Sequence, residues 1–145
     1  MDENFELIEH IYKDSSMASF SLTKLLSDLK EKDNKIKTTI ESILKEYEEY
    51  VSTTKEKLKS NGLPLEEEGF FTKAMSTMGI SKEVKSDNSD SAIADLLIKG
   101  VSMGSIDMEK KIKDYENVVD SEQLKLANSF LKFQQKTIED LKKYL

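Results

Sequence analysis

The chain has 145 residues, a net charge of −6, 34% charged residues, one proline and no cysteine or tryptophan, which fits one helical domain large enough for a core. Without cysteine there are no disulfides or thiolate metal sites, and no run reaches the roughly 18 unbroken apolar residues of a membrane span. Every basic residue is lysine, and without arginine's bidentate fork nucleic acid is not an expected partner.

Met1-Asp2-Glu3-Asn4 is acidic and opens an amphipathic pattern, unlike a signal peptide, so a cytoplasmic protein is expected. The first helix is predicted over residues 4–30. Ile8, Ile11, Ser15, Ala18, Leu22, Leu25 and Leu29 form its seam, with Phe5, Tyr12, Ser19 and Leu26 alongside. Steps of three and four are the pattern of a left-handed bundle. After a short polar break, Asp33 or Asn34 is expected to cap a second helix over 34–60. Its seam is Ile36, Ile40, Ile43, Tyr47, Tyr50 and Thr54, flanked by Leu44, Val51 and Leu58. Lysines in the last turn, then Asn61-Gly62 and Pro64, end it. So short a link makes the two helices antiparallel.

Residues 63–90 lose this regularity. Phe70, Phe71, Ala74, Met75 and Met78 suggest one short helix ended by Gly79, and a polar loop follows. The segment is too long for a hairpin turn and long enough to carry the chain from one end of a bundle to the other. The third helix is predicted over 91–117, with Ile93, Leu97, Val101, Gly104, Met108, Ile112 and Tyr115 on one face and Gly100 at its edge. The fourth, over 120–144, starts at a capping-box-like Asp120/Gln123. Its expected seam is Leu124, Ala127, Leu131, Gln134, Ile138, Leu141 and Leu145. Pairs such as Glu9/Lys13, Glu41/Lys45, Asp107/Lys111, Glu109/Lys113 and Glu139/Lys143 are spaced for weak pairing on solvated faces.

The order is helix, short turn, helix, long crossover, helix, short turn, helix. That is the connectivity of an all-α, ferritin-like four-helix bundle made of two antiparallel hairpins. Three pieces carry a closer likeness: Glu46-Tyr47-Glu48-Glu49-Tyr50, Phe70 to Met78, and Leu97 to Gly104. Through them the chain resembles the ferritin-like superfamily, and within it a small family of uncharacterised bacterial proteins. The resemblance implies a fold and brings no activity with it.

Ferritin-like di-iron sites take an inward carboxylate from each of two helices and a Glu-x-x-His pair from each of the others. This chain has one histidine, His10, and no Glu-x-x-His. Glu6 and His10 have ligand spacing, but the first seam turns both outward, so His10 is expected to be exposed. Asp14, Glu46 and Asp107 are the acids near mid-helix able to turn inward. Together they would make a degenerate site for iron or manganese, with water completing the shell; otherwise they are solvated or lysine-paired. No cofactor is expected on the first reading.

The predicted middle layer holds Ser15, Tyr47, Tyr50, Gly100, Gly104 and Gln134. Tyrosine rings are expected to fill space left by the glycines, their hydroxyls bonding Ser15, Gln134 or water; a small polar pocket is the alternative. There is no nucleophile elbow, phosphate loop or cysteine to suggest catalysis. Outside the seams, Met17, Phe20, Met103, Ile106, Leu126, Phe130 and Phe133 form a grouped apolar set. It calls for cover by the crossover or by a second chain, and a homodimer is expected. The function read from these residues is a non-enzymatic structural or interaction module, with a metal-binding protein as the alternative.

Overall fold

Apolar residues recurring at steps of three and four make each long segment an α-helix with one buried stripe. A computed structural model describes residues 5–65 and 87–145. Its helices are α1 (Glu6–Asp28), α2 (Lys37–Ser60), α3 (Asp90–Tyr115) and α4 (Ser121–Lys142), with no strand among the described residues. Each lies within three residues of its expected bounds. The short helix expected around Phe70, Phe71, Ala74, Met75 and Met78 lies outside the described residues.

Contacts near the helix ends fix their directions. Asn34, between α1 and α2, donates to the Asp90 carboxylate at the start of α3 at 2.8 Å. Thr39, early in α2, bonds Tyr144 beyond the end of α4 at 2.6 Å. At the other end Lys57 of α2 pairs with Glu122 of α4 at 2.7 Å, and Lys111 of α3 with Glu6 of α1 at 3.5 Å. The helices therefore run up, down, down and up. α1 packs on α2 and α3 on α4; α1 also meets α3, and α2 meets α4, so all these neighbours are antiparallel. Across the diagonal, α1 also touches α4.

The core follows the expected seams on three helices, with Leu7, outside the expected seam of α1, added to it. Leu7, Ile11, Leu22, Leu25 and Leu29 meet Ile36, Ile40, Ile43 and Tyr47 of the second segment, and Ile93, Leu97, Met108 and Ile112 of α3 complete that side. α4 is turned from expectation. It buries Gln123, Phe130, Phe133 and Thr137 with Ala127, Gln134 and Leu141, while Leu124, Leu131 and Ile138 are half-buried and Leu145 is exposed. Both rows have bundle spacing. The rotation brings the two phenylalanine rings inward, and the donors of its polar members find partners nearby: Thr137 donates to the Phe133 carbonyl at 2.8 Å and Gln123 Nε2 to Asp120 at 3.4 Å.

The ends obey backbone chemistry. Gly62 has φ +70, and its N–H reaches the Lys59 carbonyl while that of Leu63 reaches Leu58. This is a complete Schellman stop, which needs the left-handed residue glycine supplies. Ser89 caps α3 through Ala92 and Asp120 caps α4 through Gln123. α2 has no side-chain cap: Asn34 instead bonds Asp90 and the Asn88 carbonyl. Of the expected surface pairs, Glu9–Lys13 forms at 2.8 Å. Lys111 crosses to Glu6 instead, Lys142 takes Glu139, and Lys143 takes Asp140. Among the described residues no helix is long and apolar enough to cross a membrane.

Candidate functional site

The antiparallel packing of α1 on α3 brings Asp14 opposite Gly104. Both lie beside Gln134 of α4, whose Nε2 donates to Asp14 Oδ2 at 2.8 Å across the bundle diagonal. A Cβ on Gly104 would stand 2.7 Å from that Oδ2 and 2.9 Å from Nε2. Gly104 therefore leaves room for a polar pair; it does not face a tyrosine, as expected from the seams. Tyr47 completes the group, its hydroxyl 3.5 Å from Gln134 Nε2. Ser15 is fully buried but turns its hydroxyl back to the Ile11 carbonyl of its own helix.

The tyrosine rings pack on α4. Tyr47 meets Phe133 edge-on with centroids 4.8 Å apart, and Tyr50 meets Phe130 edge-on at 4.9 Å and stacks on Phe133 at 5.5 Å. Tyr50 sends its hydroxyl to Ser129 at 2.8 Å. These contacts correct the assignment of Phe130 and Phe133 to an outward face: both are core residues. Met17 and Leu126 are half-buried against the Ile8, Tyr12 and Leu58 cluster. Phe20, Met103 and Ile106 remain exposed, at 42%, 69% and 52%.

Electrostatically the middle layer is built around one acid. Burial raises the Asp14 pKa to about 6, with a smaller contribution from the Asp107 charge, against the lowering effect of the Gln134 bond. Burial also pushes the Tyr47 phenol up, helped by the Asp14 charge. Gln134 is fully enclosed, and its Oε1 has no hydrogen-bond partner among the described residues.

The three acids proposed as a degenerate metal site are not brought together. Asp14 is partly buried; Glu46 and Asp107 are exposed. Burying Ile43 and Tyr47 turns Glu46 into a polar groove between α2 and α4, shared with Lys136, Asp140 and Lys143. Among the described residues no group of three His, Asp or Glu side chains could hold a metal ion. His10 also departs from expectation. It is half-buried because the flank of the α1 seam faces α3. Its Nε2 has no hydrogen-bond partner among the described residues, and burial, then the Lys111 charge, lowers its pKa.

Beside the Asp14 layer a pocket of about 110 Å³ reaches into the bundle. Asp14, Ser21, Tyr47 and Thr137 are its polar lining residues, Met17, Leu97 and Leu141 are among its apolar ones, and the exposed Gly100 also lines it. A Cβ on Gly100 would touch nothing within 4 Å. The glycine spacing had suggested close packing at both positions; it holds at Gly104 and fails at Gly100. Sequence reasoning also missed the Asp14–Gln134 bond, although both sit at mid-helix and Asp14 is one residue from the seam.

Among the described residues, fold and site together define a four-helix bundle with a recessed carboxylate, Asp14, and an adjoining, largely apolar pocket. Against known proteins, no family model, curated protein or solved structure matches the chain.

Proposed function

We propose that the protein is a non-enzymatic structural or interaction module on a ferritin-like frame, working as a cytoplasmic homodimer. The helix directions support the frame: two antiparallel hairpins whose inner members, α2 and α3, run parallel, so the end of α2 and the start of α3 lie at opposite ends of the bundle. The observation that carries the reading is the middle layer. A ferritin-like centre needs four inward carboxylates and two histidines; here one carboxylate, Asp14, is held by Gln134 and adjoins Tyr47. The exposed side chains of Phe20, Met103 and Ile106 support self-association.

Metal analysis of protein purified without an affinity tag tests this reading. Iron and manganese well below one per chain are expected. Stoichiometric iron or manganese that disappears in an Asp14→Ala/Glu46→Ala double variant would overturn it and favour a metal-binding protein.

A further inference from the structure

We propose that the pocket beside Asp14 is a binding site for a small primary amine, with the ammonium group on the Asp14 carboxylate and the hydrocarbon body among Met17, Leu22, Leu96 and Leu141. The inference goes beyond the structural reading above and stands on four observations.

The first is shape. An apolar cavity of about 150 Å³ accommodates benzene, so the present pocket suits a body of roughly four to six carbons. The second is charge. Among the described residues, Asp14 receives one hydrogen bond, from neutral Gln134, and no lysine lines the pocket. The charged group that most affects it is another acid, Asp107. A carboxylate drawn away from water without a cation is poorly compensated, and an ammonium supplies the missing charge. An anion would be repelled, and a neutral alcohol would leave the charge unanswered.

The third is the count of acceptors. Tyr47 lines the pocket together with Asp14, and its hydroxyl belongs to the same group, 3.5 Å from Gln134 Nε2. With the carboxylate oxygens it offers acceptors to the N–H donors of an ammonium. The fourth is access. Glycine is a poor residue for a helix interior, yet Gly100 is exposed and contacts nothing where its side chain would be. Its missing side chain leaves the pocket edge open.

Calorimetric titration of the full chain with pentylamine, 1-pentanol and pentanoate tests the proposal. Pentylamine is expected to bind at least about tenfold more tightly than pentanol, since the charge-assisted bond distinguishes them, and pentanoate not to bind. Asp14→Asn keeps the acceptor for Gln134 and should bring the amine down to the level of the alcohol without changing the alcohol. Gly100→Leu, at an exposed position, should remove binding of both while the protein stays folded by circular dichroism. Equal binding of amine and alcohol, absence of amine binding, or amine binding that survives Asp14→Asn overturns the proposal. None of these outcomes bears on metal content, so failure here leaves the structural reading to its own test.

Discussion

Gln134 of α4 holds Asp14 of α1 by a 2.8 Å hydrogen bond, across a gap that Gly104 of α3 keeps open. Three helices are thus adjusted to one carboxylate. A glutamine is suited to this place, because it can hydrogen-bond a carboxylate in either protonation state by presenting its amide nitrogen or its oxygen. Its neutrality also means that the Asp14 charge is not cancelled, which is why burial dominates the titration of this group.

Stability should therefore depend on pH in a direction opposite to that of an ion-paired acid. The folded-state pKa of Asp14 is raised to about 6 from an ordinary 3.8. Between those values the folded protein holds more protons than the unfolded one, so the Asp14 contribution to stability falls as pH rises and is at its worst above about pH 6. Asp14→Asn is expected to stabilise the protein by about 1–3 kcal/mol near pH 8, with the gain fading towards about pH 4. Urea unfolding of both proteins at the two pH values checks this; a variant less stable near pH 8 would contradict it.

The two glycines should behave oppositely. Gly100→Ala adds a methyl group that meets nothing and removes a poor helix former, so a gain of about 0.5–1 kcal/mol is expected. Gly104→Ala pushes a methyl group into the Asp14–Gln134 pair, and overpacking typically costs about 1–3 kcal/mol. Gly104→Leu should cost still more. Thermal melts of the variants side by side read the sign directly.

The α1–α2 turn depends on a residue from another hairpin. Asp90 accepts from Asn34 Nδ2 at 2.8 Å and from the Lys35 N–H at 3.2 Å, and the buried Leu29 and Ile36 flank the turn. Asp90→Ala is expected to cost about 1–2 kcal/mol and to speed hydrogen exchange at the Lys35 amide more than at amides in the middle of α2. Uniform exchange changes would show that Asp90 supports only its own helix.

Self-association should be sensitive to charge on the outer face of α3. Light scattering is expected to give twice the 16.6 kDa chain mass. Met103→Glu combined with Ile106→Glu should return it to the monomer value, since each residue is largely exposed in the single chain and glutamate would be desolvated in an interface. A monomeric parent protein, or a dimer indifferent to both substitutions, would remove this surface from the account.

Much of the bundle was readable because hydrophobic spacing is a local signal. The seams of α1, α2 and α3, the stop at Asn61-Gly62 and the capping role of Asp120 each depend on a few adjacent residues. What escaped depends on partners remote in sequence. Two bundle-spaced rows exist on α4, and only the fit of Phe130 and Phe133 against Tyr47 and Tyr50 selects between them. Asn34 was a plausible cap until Asp90 arrived beside it. The same holds for the site: both glycines were visible as an anomaly, but whether each marks a close approach or an open edge follows from what lies opposite. Asp14 stood at the flank of its seam, where a rotation of a few tens of degrees separates solvent from the interior.

The central proposal is that Asp14 serves as a recessed carboxylate tied to Gln134 rather than as a metal ligand. The most direct measurement is its own titration, followed through the side-chain carboxyl carbon by NMR on the amine-free protein, with and without added zinc as a diamagnetic divalent probe. The account predicts a midpoint near 6 that zinc does not move. A midpoint near or below the ordinary 3.8, or one driven down by the metal, would contradict it.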